Sequence, residues 1–558
     1  MMETKNLRWF VLIIVSAIFT RLLLLKEAIH DDEAVWTSLT SAPNYLWLNS
    51  AGNPHPLLAQ WCYNFGAFLF GQHTLVFRSV TLCFAIATIF VTYLLAKELY
   101  DENVALISIF LMSISMYHLI ASLRITIGII IVLFYLLTIY SFVKYEATGK
   151  RKWLMLTGIF FGLALLTKYS AIYILAILAA YTLLTTDSFV KSIYRTLKIF
   201  LIGLCVYAIF PVLIWISGKL EMFPAMVAHT STYAHVGLHW VAPIMLLLWA
   251  TPLLILLPLL SVLRRDRKDL LLVIWIAAIF AINFIIIGRA DVGPWYFLVG
   301  RGDYVRYFMN IIPPLSILGA CAIVRFNLRK KSLTIIAGVA VFFSTILYVI
   351  NSFPQQYIPQ DFAAYTSYLL QGKLSFFFPY TTSSGALFGT SALGIALVWI
   401  VSISLFVWIL ATRTTKTRKF LFIILLGVMI GFNAFLAQEY VFHTQHVNPS
   451  DATYFAVDYF NDNNLDWPLS TNAEGVYFYL IPEYISHTDT QIEDGVGMYL
   501  GRFLERDGWY EYLRDVGGTA MVLNHPALPK ERLVFPPNCN LVEKYVDSGQ
   551  DLLIIYSC

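Results

Sequence analysis

The residues best suited to chemistry are His30-Asp31-Asp32-Glu33, three consecutive carboxylates behind a histidine, placed just past an apolar run at 9–25. At about 1.5 Å per residue that run is long enough to cross most of a bilayer. The segment after it, up to the next apolar run at 75–96, is of mixed polarity, so the carboxylates sit in water or among headgroups and stay ionised. Charged side chains at the edge of a span are costly to place, and each calls for an explanation. Besides this cluster these are Arg78, Arg124, Lys168, Arg289, Arg301, Asp303 and Arg306. Any one of them can be a snorkelling anchor or half of a structural ion pair, and Arg78 and Arg289 fit that description best. As a set, one acidic cluster and several separated cations on a single face suit a carboxylate base opposite a phosphate clamp.

The elements that must hold these residues are membrane spans. Of the 558 residues 59% are hydrophobic and only 13% charged, against about 25% charged in a soluble chain. A soluble fold has no surface on which to hide so much apolar area. Thirteen stretches could span: 9–25, 75–96, 104–121, 127–143, 153–168, 170–186, 199–217, 241–260, 270–288, 304–324, 333–352, 391–411 and 420–436. The first is too long for a signal peptide and lacks a small-residue cleavage site, so it reads as a retained span.

Alternate inter-span segments are basic, from Lys5/Arg8 through Lys97, 144–152, 191–198, 264–268 and 325–331 to 413–419, and hold more than half of the 38 Lys and Arg. The positive-inside rule then places the N-terminus in the cytoplasm and, with an odd span count, the C-terminus outside. The acidic cluster and the cations named above all fall on the outer side. The net charge of +4 adds little to this, and no nucleic-acid partner is expected.

The outer segment 26–74 contains Asn53-Pro54-His55-Pro56-Leu57-Leu58 between two aromatic-rich stretches, 36–47 and 57–70, that suit helices lying in the interface plane. From 437 onward Asn, Asp and Gly become common, and the tail reads as a small soluble α/β domain. Helices are expected at 452–461 and 501–514 and strands at 519–523 and 552–556. A hairpin is expected with 540–546 and 551–556 flanking Ser548-Gly549. Counting out from that turn, Cys539 falls opposite Cys558, a disulfide candidate in an oxidising compartment. Cys62, Cys83, Cys205 and Cys321 read as small packing residues. His229, His235 and His239 share one outer loop; the last two have an i,i+4 spacing that can ligate zinc, but interfacial histidines explain them as well.

Several motifs, in order, resemble the family 39 glycosyltransferases of the GT-C superfold, which include protein O-mannosyltransferases and the bacterial lipid A aminoarabinose transferase. They are Asp32-Glu33-Ala34 after a first span, His55-Pro56-Leu57, Leu69-Phe70-Gly71, Phe77-Arg78-Ser79, the run from Gly162 to Lys168-Tyr169, and Arg306-Tyr307 leading to Pro313-Pro314. The resemblance covers about 1–320 and in outline a thirteen-span membrane part, 1–436, with a distal outer domain, 437–558.

It implies a transferase that takes a sugar from a polyprenyl monophosphate and places it, with inversion, on a lipid, protein or glycan acceptor. Asp32 matches the catalytic acid position; Glu33 would support it or bind sugar, and Asp31 is an additional acid. His55 and Arg124 match positions at the donor or acceptor. Lys168, Arg301 and Arg306, with Tyr169 and Tyr307 beside two of them, are the residues implied to hold the phosphate. Many relatives carry a second acid near the arginine, where this chain reads Leu123-Arg124-Ile125-Thr126-Ile127; Asp31 is the acid available to replace it. A monophosphate donor needs no metal where cations line the site, so no metal ligand is assigned and a divalent cation stays open as a cofactor.

The expectation is therefore a polytopic α-helical membrane protein of GT-C type with a C-terminal extracytoplasmic α/β domain, in a prokaryotic cytoplasmic membrane. A lipid or sugar transporter or flippase is the alternative. That reading predicts half-repeats and charges at the midplane, neither of which stands out.

Overall fold

The computed structural model describes residues 4–29, 33, 36–37, 56–185, 188–218, 220, 224, 241–263, 266–285, 308–353, 356–357, 367, 370–371, 376–379, 389–442, 449–463, 469–471, 476, 480, 518–523, 539–547 and 550–557. Each of the thirteen apolar stretches is mainly helical over its described residues. In lipid the backbone can satisfy its polar groups only within the segment, and an apolar run has no other soluble form. The first helices are α1 (Thr4–Leu22), α2 (Leu58–Phe70), α3 (Thr74–Leu99), α4 (Glu102–Ile114), α5 (Met116–Ala121), α6 (Gly128–Thr148) and α7 (Arg151–Thr167). A 3-10 turn (Tyr169–Ile172) leads into α8 (Tyr173–Thr185), then α9 (Phe189–Tyr207), α10 (Ile209–Ile216), α11 (Val241–Val262) and α12 (Leu270–Ile285). The bundle continues with α13 (Ile312–Arg325), α14 (Lys330–Asn351), α15 (Ala392–Ala411) and α16 (Thr415–Phe442). Among the described residues, 7 helical segments meet length and composition limits for crossing a membrane unaided; the other stretches are shorter, interrupted or charged.

The interruptions have local causes. One predicted span, 104–121, is split at Ser115, whose backbone is extended. The 3-10 turn divides 153–186 where Lys168-Tyr169-Ser170 breaks the apolar run, as expected. In α11, Thr251 has φ 57 and ψ 169 directly before Pro252, which lacks an N–H and disfavours a helical residue ahead of it. Asn433 of α16 donates to the buried Thr251 hydroxyl at 3.0 Å across this break. Helix α16 runs on to Phe442, past the expected end of the last span at 436.

Close helix contacts depend on small residues. A Cβ on Gly431 of α16 would come within 2.5 Å of the Ala340 carbonyl oxygen of α14, so only glycine permits that approach. Segments of the bundle that carry basic residues are tied to their neighbours by ion pairs. Lys144 meets Glu98 at 2.9 Å, Arg195 meets Glu146 at 2.9 Å, and Arg325 meets Asp266 at 3.2 Å.

Three short strands, β1 (Gln356–Tyr357), β2 (Phe376–Pro379) and β3 (Gly389–Ser391), form a small sheet ahead of α15 that the sequence did not announce. The tail begins with α17 (Pro449–Asp462). Its sheet contains β4 (Leu469–Thr471), β5 (Thr519–Leu523), β6 (Asn540–Asp547) and β7 (Gln550–Ser557) in the order β4-β5-β7-β6. The β6–β7 hairpin closes with Asp547 opposite Gln550, around the expected turn. Cys539 is disulfide-bonded; Cys558, its expected partner, lies outside the described residues, as does the expected helix at 501–514.

Candidate active site

Glu33 is the one carboxylate of the acidic cluster among the described residues, and it is fully buried. Arg78, in the second turn of α3, grips it with both arms. Nη1 donates to Oε1 at 3.0 Å and Nη2 to Oε2 at 2.9 Å. The remaining guanidinium donors reach Glu27 O at 3.1 Å, Ala28 O at 2.6 Å and Leu123 O at 2.7 Å. All five N–H groups of the fork are thereby used, the condition under which a buried arginine is stable. Glu33 Oε1 also accepts the Ile125 N–H at 3.0 Å. One ion pair thus staples Glu33 of the acidic cluster to the segment carrying Arg124, which is itself 3% exposed. Arg78 is the structural ion-pair partner that the sequence made it out to be.

The same segment is held from a second side by α2. Tyr63 is buried, donates its hydroxyl to Thr126 O at 3.0 Å and lies 3.0 Å from Thr81 Oγ1 of α3. Burial pushes the phenol up from its ordinary value, with Glu33 adding in the same direction, so it remains a donor at any physiological pH. A third contact comes from the residues after Arg306 and Tyr307. Tyr117 hydrogen-bonds the backbone of Phe308. Met309 Sδ lies 2.8 Å from where a Cβ on Gly128 would stand, so a larger residue there would have to displace the Met309 side chain.

Lys168 ends α7 in an extended conformation, and Tyr169 opens the 3-10 turn. Tyr135, two turns into α6, donates to Ser170 O at 2.8 Å, which sets this turn beside the first half of α6. Tyr169 also packs in a small apolar cluster with Leu57, Leu58, Trp61, Leu166 and Phe210. Leu57 and Leu58 close the His55-Pro56-Leu57 motif and open α2. One short helix therefore joins the Lys168–Tyr169 turn, at its start, to the Arg124 segment, through Tyr63. Its exposed Phe65, Phe68 and Phe70 give it the apolar outer face expected of an interfacial helix.

Of the sequence-derived site residues, the structure brings Glu33 and the Arg124 segment into contact and ties Lys168 and Tyr169 to them through α2. Asp31, Asp32, His55, Arg301, Arg306 and Tyr307 lie outside the described residues, as do Arg289, Asp303 and the histidines at 229, 235 and 239. Among the described residues no group of three or more His, Cys, Asp or Glu gathers as a metal site.

A second buried polar centre went unnoticed in the sequence. Arg21, near the end of α1, donates to Ser122 Oγ at 2.9 Å, Ala17 O at 2.9 Å and Ser113 O at 3.3 Å. Its Nη2 also lies 3.0 Å from His118 Nδ1. Arginine can only donate, so Nδ1 accepts and Nε2 carries the proton, directed at Thr88 Oγ1 at 2.9 Å. The Thr88 hydroxyl in turn donates to Ala85 O at 2.6 Å. This network fixes α1 against α4 and α5, one turn from Arg124. The available signal was an arginine inside an otherwise apolar run.

Residues 54–215 match the family described as dolichyl-phosphate-mannose-protein mannosyltransferase. Over nearly its full length the chain is similar to the crystal structure of ArnT from Cupriavidus metallidurans bound to undecaprenyl phosphate. Identity is 18% and the TM-score 0.60, with 98% of each chain covered. The apo state of the same protein aligns with 18% identity and a TM-score of 0.60, over 99% of this chain and 98% of that one. No curated protein sequence matches the chain. The fold is that of ArnT, one of the family whose motifs the sequence resembles in order. The flippase alternative receives no support from these matches.

Proposed function

We propose that the protein is a polyprenyl-phosphate-sugar-dependent glycosyltransferase of class EC 2.4, acting on the extracytoplasmic face of a cytoplasmic membrane. The observation that carries this reading is the anchoring of Glu33, in the acidic cluster, by Arg78 against the Arg124 segment. Asp32 directly precedes the anchored Glu33 in the sequence, which is what connects the clamp to the proposed catalytic carboxylate. Asp32 takes the proton of the acceptor hydroxyl as its oxygen attacks the anomeric carbon. The bond from that carbon to the phosphate oxygen breaks, and a single displacement inverts the configuration. Polyprenyl phosphate leaves as an anion, and Arg124, Lys168, Arg301 and Arg306 supply the fixed positive charge that stabilises it. Asp31, His55, Tyr169 and Tyr307 are assigned to sugar and acceptor contacts. Glu33, with both oxygens engaged, acts as a positioning residue.

The similarity to a protein crystallised with undecaprenyl phosphate supports a lipid-linked donor. The positive-inside bias of the sequence supports a cytoplasmic N-terminus, a membrane domain at 1–436 and an outer domain at 437–558. The acceptor is a lipid, protein or glycan hydroxyl, and no metal is assigned to the reaction. The test is sugar release from radiolabelled polyprenyl-phosphate sugars by the purified protein with membrane extract as acceptor. Consumption of a donor by wild type, lost in Asp32→Asn with donor binding kept, is the expected result. Full activity in the variant would remove Asp32 from the reaction.

A further inference from the structure

The first helix of the tail touches the chain just ahead of the acidic cluster. Ser450, in the first turn of α17, is 2% exposed, and its hydroxyl is used twice. It donates to Glu27 Oε2 at 2.6 Å and accepts the Ala28 N–H at 3.0 Å. One turn further on, Tyr454 donates its hydroxyl to Lys26 O at 3.0 Å. These contacts join positions more than 420 residues apart in sequence.

The backbone held in this way is the backbone that holds Arg78. Glu27 O accepts from Nε and Ala28 O from Nη2, while the other donors of the same guanidinium grip Glu33 and Leu123 O. Hydrogen bonds therefore run without a gap from α17, through 26–28, to Arg78, Glu33 and the Ile125 amide. The other face of α17 packs on the tail sheet, with Phe455 and Tyr545 ring centroids 5.1 Å apart, so the helix has a firm support behind it.

We infer that α17 braces residues 26–28 and, through Arg78, Glu33 of the acidic cluster, and that Ser450 is a positioning residue for the transfer step. The tail then governs catalysis itself, over and above any contact it makes with the acceptor. This rests on the glycosyltransferase reading for its catalytic consequence, and on geometry alone for the brace.

Hydrogen exchange of the peptide covering 26–33 in detergent-solubilised full-length protein tests the brace without requiring turnover. In Ser450→Ala, exchange in this peptide is expected to quicken by about tenfold, the equivalent of one lost buried hydrogen bond. With a turnover assay in hand, kcat should fall by a similar factor at unchanged acceptor KM. Ser450→Thr, which keeps a hydroxyl, should restore both. Tyr454→Phe, which loses only the Lys26 contact, should quicken exchange less and serves if Ser450→Ala does not fold. Unchanged exchange in both Ser450→Ala and Tyr454→Phe overturns the brace, and a rise confined to acceptor KM overturns its link to catalysis. If wild type consumes no donor, the glycosyltransferase reading falls, while the exchange result still decides the brace.

Discussion

Arg78 and Glu33 form a bidentate ion pair, Nη1 to Oε1 at 3.0 Å and Nη2 to Oε2 at 2.9 Å, with side chains 3% and 0% exposed. The pair joins the acidic cluster to the residues flanking Arg124, since Arg78 also holds Leu123 O and Glu33 also holds the Ile125 N–H. Removing one partner leaves a charge buried without compensation, a loss of about 3–5 kcal/mol. Arg78→Met should therefore lower thermal stability sharply and abolish transfer, and Arg78→Lys should rescue little, because a point charge cannot fill a planar fork. A lysine variant with wild-type melting temperature and turnover would show that the fork geometry is unimportant.

Asp32→Asn is isosteric and removes the proposed proton acceptor. Loss of general-base action costs about 10²–10⁴-fold in rate, so kcat should fall within that range while the affinity for donor is preserved. The two are separated by single-turnover kinetics against equilibrium binding of a polyprenyl phosphate.

Tyr63 contributes its hydroxyl to Thr126 O and sits against Thr81. Tyr63→Phe keeps the ring packed on Phe77 but leaves a buried carbonyl without this donor, at about 1–3 kcal/mol. We expect a lower melting temperature together with a weaker grip on donor phosphate, because the Arg124 segment loses one of its supports. Donor titration by calorimetry should show the weakening, and an unchanged affinity would restrict Tyr63 to stability.

Lys168→Ala and Arg124→Ala each remove a cation assigned to the phosphate. Each should raise the Kd for a polyprenyl phosphate by about 10-fold or more, on the scale of one charge-assisted hydrogen bond. A variant with unchanged Kd in a fluorescence competition assay would take that residue out of the phosphate site.

Gly431→Ala and Gly338→Ala make a matched pair. An added Cβ at Gly431 meets the Ala340 backbone at 2.5 Å, whereas at Gly338 nothing lies within 4 Å. The first should destabilise by about 1–3 kcal/mol through overpacking, and the second should be neutral or slightly stabilising, since alanine is the better helix former. Thermal melts in detergent read both; equal effects would mean that α14 and α16 do not pack as closely as described.

The sequence by itself determined the positions of the helices, the α17 helix, the β6–β7 hairpin and the resemblance to the GT-C transferases. Each is written locally or in order along the chain. A long apolar run has one stable backbone form in lipid, and a hairpin register follows from alternation and a two-residue turn. It also marked Arg78 as a cation that best fits a snorkelling anchor or half of a structural ion pair. Only the tertiary structure decided that the partner is Glu33, 45 residues away, that Arg21 is housed by His118 and Ser122, and that Ser450 holds Glu27. Such pairings join segments distant in sequence, and nothing in the residue types selects one partner from several of equal chemistry. The choice falls to the packing of helices, which sets which donor and which acceptor come within 3 Å once water is excluded.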